Sequence, residues 1–211
     1  MKHVGVVVRR LRKHYGLDFS SRESDPFRVL ITTIISQRNR DESTDVASQK
    51  LFSRFRTVKS LASADVRDVE SVLRSIGLYR QKAKRIVAVS KIIHVQYADK
   101  VPADISKLVE LPGVGRKTAN CVLVYGFRLP AIPVDTHVHR ISNRLGWVKT
   151  KTPEQTEQQL VKIVPRKYWI EINELLVKHG QGICRPLNPR CMVCPVKGYC
   201  SYYRHFVVRN L

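Results

Sequence analysis

Apolar positions along this chain recur at helical spacing and almost nowhere alternate in the period-two manner of a strand. From Tyr79 to Tyr97, the residues Ala83, Ile86, Ile93 and Tyr97 fall three, four or seven apart, with Lys82, Lys84, Arg85 and Lys91 among them. That spacing predicts a helix with one buried stripe and one basic face. Asp25-Pro26 opens another, with a carboxylate at the N-cap and proline at the first helical position; it runs to about Ser36 and is apolar nearly all round, as a buried helix should be. Further helices are predicted over 41–55, 66–76 with Gly77 as the stop, 105–110, 116–127, 135–146 and 168–179. Thr152-Pro153-Glu154-Gln155 is a capping-box start for one that reaches about Val164. The β-branched run Val4–Val8 is read as helix as well, so the predicted fold class is all-α.

Charge changes this picture from a generic helical protein to one with a polyanionic partner. The 211 residues are enough to bury a core without disulfides, and they carry 38 Lys and Arg against 17 Asp and Glu, a net charge of +21. Such an excess repels itself, and nucleic acid is the leading candidate to offset it, because each neutralised phosphate releases counterions. A generally basic surface is the plain alternative. No apolar run approaches the roughly 20 residues of a membrane span. Val4–Val8 runs straight into Arg9, Arg10, Arg12 and Lys13 without a cleavage site, so neither export nor a membrane is expected. The expected compartment is the cytoplasm, at the nucleoid, or the nucleus in a eukaryote. There, cysteines serve as ligands or core residues rather than disulfides.

Four of the five cysteines lie together. Cys184, Cys191, Cys194 and Cys200 have the spacing C-x6-C-x2-C-x5-C, stiffened by Pro186, Pro189 and Pro195. Four thiolates in one loop suit a soft metal centre. Zinc sites usually show two short C-x-x-C pairs and only one exists here, so the compact loop favours an iron–sulfur cluster while leaving zinc open. Arg185 and Arg190 border the ligands and can face phosphates. Cys121, among Ala119, Val122 and Leu123, reads as a buried core thiol.

A second motif is Leu111-Pro112-Gly113-Val114-Gly115 between two predicted helices, with Arg116 and Lys117 after it. A glycine turn at a helix start offers backbone N–H groups to a phosphate without reading sequence. The plain reading is a helix–helix turn. The proline, the apolar Val114 and the two following cations favour a helix-hairpin-helix that grips a DNA backbone.

The run from Leu111 to Asn120, then Val134-Asp135-Thr136-His137, then the cysteine loop resembles the endonuclease III family over nearly the whole chain, in order. That resemblance implies two helical lobes with DNA in the cleft between them: a six-helix lobe over 18–128 with the hairpin, and a second lobe from 1–17 and 129–211 with a 4Fe–4S cluster in loop 184–200. By the same resemblance, Lys117 takes the place of the nucleophile and Asp135 that of the essential aspartate, facing it across the lobe junction. Gln37 and Leu78 take the places of the residues that fill the duplex when a base is extruded. Around Gln37 the sequence departs from the family pattern, since Arg38-Asn39-Arg40-Asp41 is more basic and one residue longer. His137 reads as structural and His139 as a surface residue.

The implied partner is double-stranded DNA with damaged bases or abasic sites, bound by a monomer. The implied activity is excision of oxidised pyrimidines with strand nicking through a lysine Schiff base. Two alternatives stand beside it. One is a monofunctional glycosylase for G·T or G·U mismatches, which would need no amine at position 117. The other is a non-catalytic helix-hairpin-helix module, which would not need Asp135.

Overall fold

The computed structural model describes residues 3–17 and 25–207, the side chains of 206 and 207 excepted. Among these there is no β-strand. The chain divides into two compact units, one of residues 24–128 and one of 1–23 with 129–211. The expected lobe boundary at 17 and 18 adjoins residues 18–24, which lie outside the described residues.

The first unit holds α2 (Pro26–Ser36), α3 (Asp41–Arg54), α4 (Val58–Ala62), α5 (Val66–Leu73), α6 (Tyr79–Tyr97), α7 (Ile105–Val109) and α8 (Arg116–Cys121). Its core is built on α2, where Leu30, Ile31, Ile34 and Ile35 are completely buried, as an all-round apolar helix must be. Asp25 caps it by accepting from the N–H of Phe27 at 2.8 Å. The sequence predicts six helices for this lobe, and seven are described. The addition is α4, five residues long and too short to show a period. A reciprocal capping box starts it, with Ser60 N–H on Thr57 Oγ1 and Thr57 N–H on Ser60 Oγ, both at 3.1 Å.

Two further differences go with packing between segments distant in the sequence. The helix predicted over 116–127 is α-helical only to Cys121; residues 122–126 form a π-helical turn. Gly126 packs there against α2, so closely that a Cβ on it would lie 2.9 Å from Pro26 Cα. Lys82, assigned to the basic face of α6, is instead 1 % exposed, while Lys84 and Lys91 are on the surface. The end of α2 draws it inward: Lys82 Nζ donates to the Ile35 carbonyl at 2.7 Å.

The second unit holds α1 (Val4–Tyr15), α9 (Thr136–Leu145), α10 (Pro153–Ile163) and α11 (Trp169–Gly182), with the cysteine loop after them. Val7, Val8 and Leu11 of α1 join Val138, Ile141, Leu160, Ile172 and Leu175 in its core. Arg12 fastens α1 to α11 through Glu171, which is nearly buried, with Nε–Oε2 at 2.8 Å. Thr152 caps α10, but Gln155 returns its oxygen to the N–H of Lys151 rather than to Thr152. No described helix is long and apolar enough to cross a membrane.

Candidate functional site

The hairpin turn is held from inside. Leu111 and Val114 are buried beside Leu108, and Val114 N–H closes the turn on Leu111 O at 3.0 Å. Gly113 takes φ +77°, the left-handed region that a side chain resists. A Cβ there would also fall 2.5 Å from Arg85 Cδ. Gly115, the N-cap of α8, is exposed, with open space where its side chain would be. Main chain is thus accessible at a helix start, where N–H groups lack intrahelical partners.

Lys117 comes next, in the first turn of α8. Arg116 before it is exposed, the four residues after it, from Thr118 to Cys121, are buried, and Lys117 is half-buried at the border.

Asp135 is the N-cap of α9. Its Oδ1 accepts the N–H of Val138 at 2.8 Å, and no hydrogen bond to Oδ2 exists among the described residues. The cap employs one oxygen of the carboxylate. His137 and His139 lie on the same helix. His137 Nδ1 is 3.1 Å from Arg140 Nη2. His139 is not a surface residue: it is half-buried with Nδ1 2.7 Å from Thr156 Oγ1, because α10 packs over it.

Gln37 and Leu78 lie in the first unit. Gln37 ends α2, and its Nε2 donates to the Gly113 carbonyl at 3.0 Å, which ties this residue to the hairpin. Leu78 is the N-cap of α6 with φ +59° and is 51 % exposed. That exposure rules out a place for Leu78 in the core.

The four loop cysteines line one pocket with Ile141, Leu145, His179 and Val196, partly open to solvent. Among the described residues, no three His, Cys, Asp or Glu side chains gather closely enough to hold a single ion. Burial pushes the Cys194 thiol up to about 11, and the charges of its cysteine neighbours push the same way. Four thiolates in this space therefore call for a cationic centre. Burial also drives His179 down to about 4, so its ring is neutral, and raises Tyr15 to about 12. Tyr15 Oη lies 2.9 Å from His179 Nδ1, and His179 Nε2 lies 3.6 Å from Cys194 Sγ, so the ring bridges the tyrosine and the cysteine.

Sequence reasoning missed the two arginines that hold this loop. Arg140 donates to the Cys184 carbonyl at 2.9 Å, and Arg144 to those of Arg185 and Pro186 at 2.6 and 2.8 Å. Their spacing of four on α9, one and two turns beyond Asp135, was the available signal. Gly180 on α11 makes room for Arg140 and His137: a Cβ would sit 2.9 Å from Arg140 Nη2 and 2.3 Å from His137 Nδ1. Arg185 and Arg190 are exposed on the loop.

Residues 31–166 match the HhH-GPD superfamily base excision DNA repair protein profile. The chain is 54% identical over 198 residues to an endonuclease III of Thermotoga maritima, covering 94% of this chain and 90% of that protein. It is 38% identical over 201 residues to an endonuclease III of Escherichia coli K12, with 93% of each covered. Among solved structures it resembles a trapped endonuclease III–DNA covalent intermediate, the estranged-adenine complex. The TM-score is 0.88 at 32% identity, and the match covers 97% of both chains.

Proposed function

This chain belongs to the endonuclease III family of the HhH-GPD superfamily of base excision DNA repair proteins, and on that footing we propose a role for each of its site residues. It is a DNA glycosylase with AP lyase activity. The substrate class we assign is oxidised pyrimidines in duplex DNA, with abasic sites as substrates of the lyase step, and the protein acts as a monomer.

Lys117 is the nucleophile. The observation that carries this is its place at the border of the buried α8 face, two residues after the open main chain of Gly115. The neutral amine attacks the sugar C1′; the bond from C1′ to the base breaks, and the base leaves with the electron pair and gains a proton. The nitrogen lone pair then expels the ring oxygen, leaving a protonated Schiff base at C1′. Loss of a C2′ proton drives out the 3′ phosphate and nicks the strand. Asp135 stabilises positive charge on the sugar and relays protons, through the oxygen its cap leaves unbonded.

The hairpin residues Leu111, Pro112, Gly113, Val114, Gly115 and Arg116 hold a phosphate with main chain and cation, and Arg185 and Arg190 add cations from the loop. Gln37 and Leu78 occupy the gap left when the damaged nucleotide swings out. Leu78 suits the wedge because it stands out of the surface on a left-handed residue.

Cys184, Cys191, Cys194 and Cys200 would hold a 4Fe–4S cluster. The four cysteines line one pocket as an all-sulfur donor set, and that set suits a polynuclear centre in which each cysteine takes its own iron. When bound, the cluster supplies a rigid cross-link of the loop that presents Arg185 and Arg190.

The test is borohydride trapping on duplexes carrying thymine glycol, an abasic site, or a G·T or G·U mismatch. A covalent adduct on the first two that disappears in Lys117→Gln is the expected result. Base release without an adduct or a nick would overturn the lyase assignment in favour of mismatch hydrolysis. Iron and sulfide analysis of anaerobically purified protein tests the cluster, and stoichiometric zinc refutes it.

A further inference from the structure

The lysine that the α6 pattern placed on a basic surface has a part in the reaction that no motif announces. Lys82 is the only cation in the described chain among the largest fully buried side chains, and burial lowers it to about 8. Its ammonium has one hydrogen bond among the described residues, to a carbonyl, and no carboxylate beside it. A methionine or leucine would cost less at such a position. What the lysine does there is join two segments. Its side chain reaches Ile35 O at 2.7 Å, in the last turn of α2, while its own main-chain N–H is bonded to Leu78 O at 3.0 Å.

Asn39 closes the link from the other side. Its Nδ2 donates to the same Ile35 oxygen at 2.8 Å, and its Oδ1 accepts the N–H of Gly77 at 3.2 Å. Both lone pairs of the Ile35 carbonyl are therefore taken, one by Asn39, whose side chain also bonds Gly77, and one by Lys82, whose main chain bonds Leu78. Gln37 leaves the chain two residues after Ile35, and Leu78 comes directly after Gly77. The two segments carry the two side chains assigned to the gap in the duplex, and Lys82 with Asn39 is what spans them.

We propose that Lys82 is a positioning residue, which through the Ile35 carbonyl and Asn39 fixes the spacing of Gln37 and Leu78 so that the pair can fill the space of an extruded nucleotide. This rests on the gap-filling reading of those two residues. Lys82 touches no reacting atom. Its effect is confined to steps in which duplex must be opened and the vacancy held, and a single strand presents no such vacancy.

The experiment uses full-length protein with its metal centre intact and the variant Lys82→Met, which keeps the bulk and removes the charge and the donor. Single-turnover base release from a thymine glycol duplex is expected to fall about 10- to 100-fold, the scale of small displacements at a reacting centre. Borohydride trapping on a single-stranded abasic oligonucleotide should hold at the wild-type rate, and the melting temperature should not fall. A nucleotide analogue, 2-aminopurine beside the lesion, should lose its opening signal in step with the duplex rate. Asn39→Ala, a change at a half-buried residue, should reproduce the pattern and serves if the methionine variant does not fold. Equal losses on duplex and single strand, or a wild-type duplex rate, overturn the proposal. Gln37→Ala and Leu78→Ala separate the two levels: if both leave the duplex rate unchanged, the gap-filling reading itself fails. If they slow it and Lys82→Met does not, only the positioning role fails.

Discussion

Gln37 Nε2 donates a hydrogen bond to the main-chain oxygen of Gly113 at 3.0 Å, so the residue that ends α2 is braced on the tip of the DNA-binding hairpin. Gly113 can offer that oxygen because it sits at φ +77° with Arg85 packed where a side chain would be. Gly113→Ala forces a Cβ into both. The left-handed strain alone is worth about 1–2 kcal/mol, and Arg85 must move as well. Urea denaturation should show a loss on that order, and fluorescence anisotropy should show weaker binding of undamaged and damaged duplex alike. A variant with wild-type stability and affinity would mean that the turn is not braced in this way.

Asp135 has two duties that one substitution separates. Asparagine caps a helix about as well as aspartate does, so Asp135→Asn should change stability by only a few tenths of a kcal/mol, whereas Asp135→Ala should cost about 1 kcal/mol. Both lose the carboxylate, and both should slow base release by about 100-fold or more. Thermal melts paired with single-turnover rates check this. An asparagine variant as fast as wild type would reduce Asp135 to a helix cap.

Which features are legible in the residue order, and which are not, has a physical basis. Caps such as Asp25 and periodic stripes such as that of α6 depend on neighbours within one or two turns, so the order of residues shows them. The three motifs of the site are legible for the same reason, each being a local run. The burial of Lys82 is not, because it depends on a free carbonyl 47 residues earlier in the chain. The π turn at 122–126 depends on the approach of Gly126 to Pro26. Arg140 and Arg144 bind main-chain oxygens, and a carbonyl has no side-chain signature to search for.

Leu78 offers a test in which stability and function part. A leucine at φ +59° carries strain of about 1 kcal/mol, and its side chain is half exposed, so little packing is lost with it. Leu78→Gly relieves the strain at the expense of some unfolded-state entropy, for a net change of about 0 to +1 kcal/mol in stability. Excision from duplex should nonetheless slow by about tenfold, since the gap is left unfilled during extrusion. Calorimetry and single-turnover excision measure the two sides. A variant that excises at the wild-type rate would show that Leu78 is not the wedge.

Lys82 makes stability depend on alkaline pH in a direction that can be stated in advance. Burial lowers its folded value from 10.5 to about 8, so between these two values the unfolded chain binds a proton that the folded chain has released. Stability then rises with pH across that window, and below about pH 8 the burden of the buried charge is present in full. Tyr15 acts oppositely: its folded value of about 12 means that the unfolded state alone loses that proton above its ordinary value of 10.0. The comparison is therefore made between pH 7.5 and about 9.5, below the tyrosine range, and as a difference between proteins. Urea denaturation of wild type should show stability increasing across this interval relative to Lys82→Met, in which the titrating group is gone. Parallel curves for the two proteins would mean that the ammonium is not held as the 2.7 Å contact with Ile35 O implies.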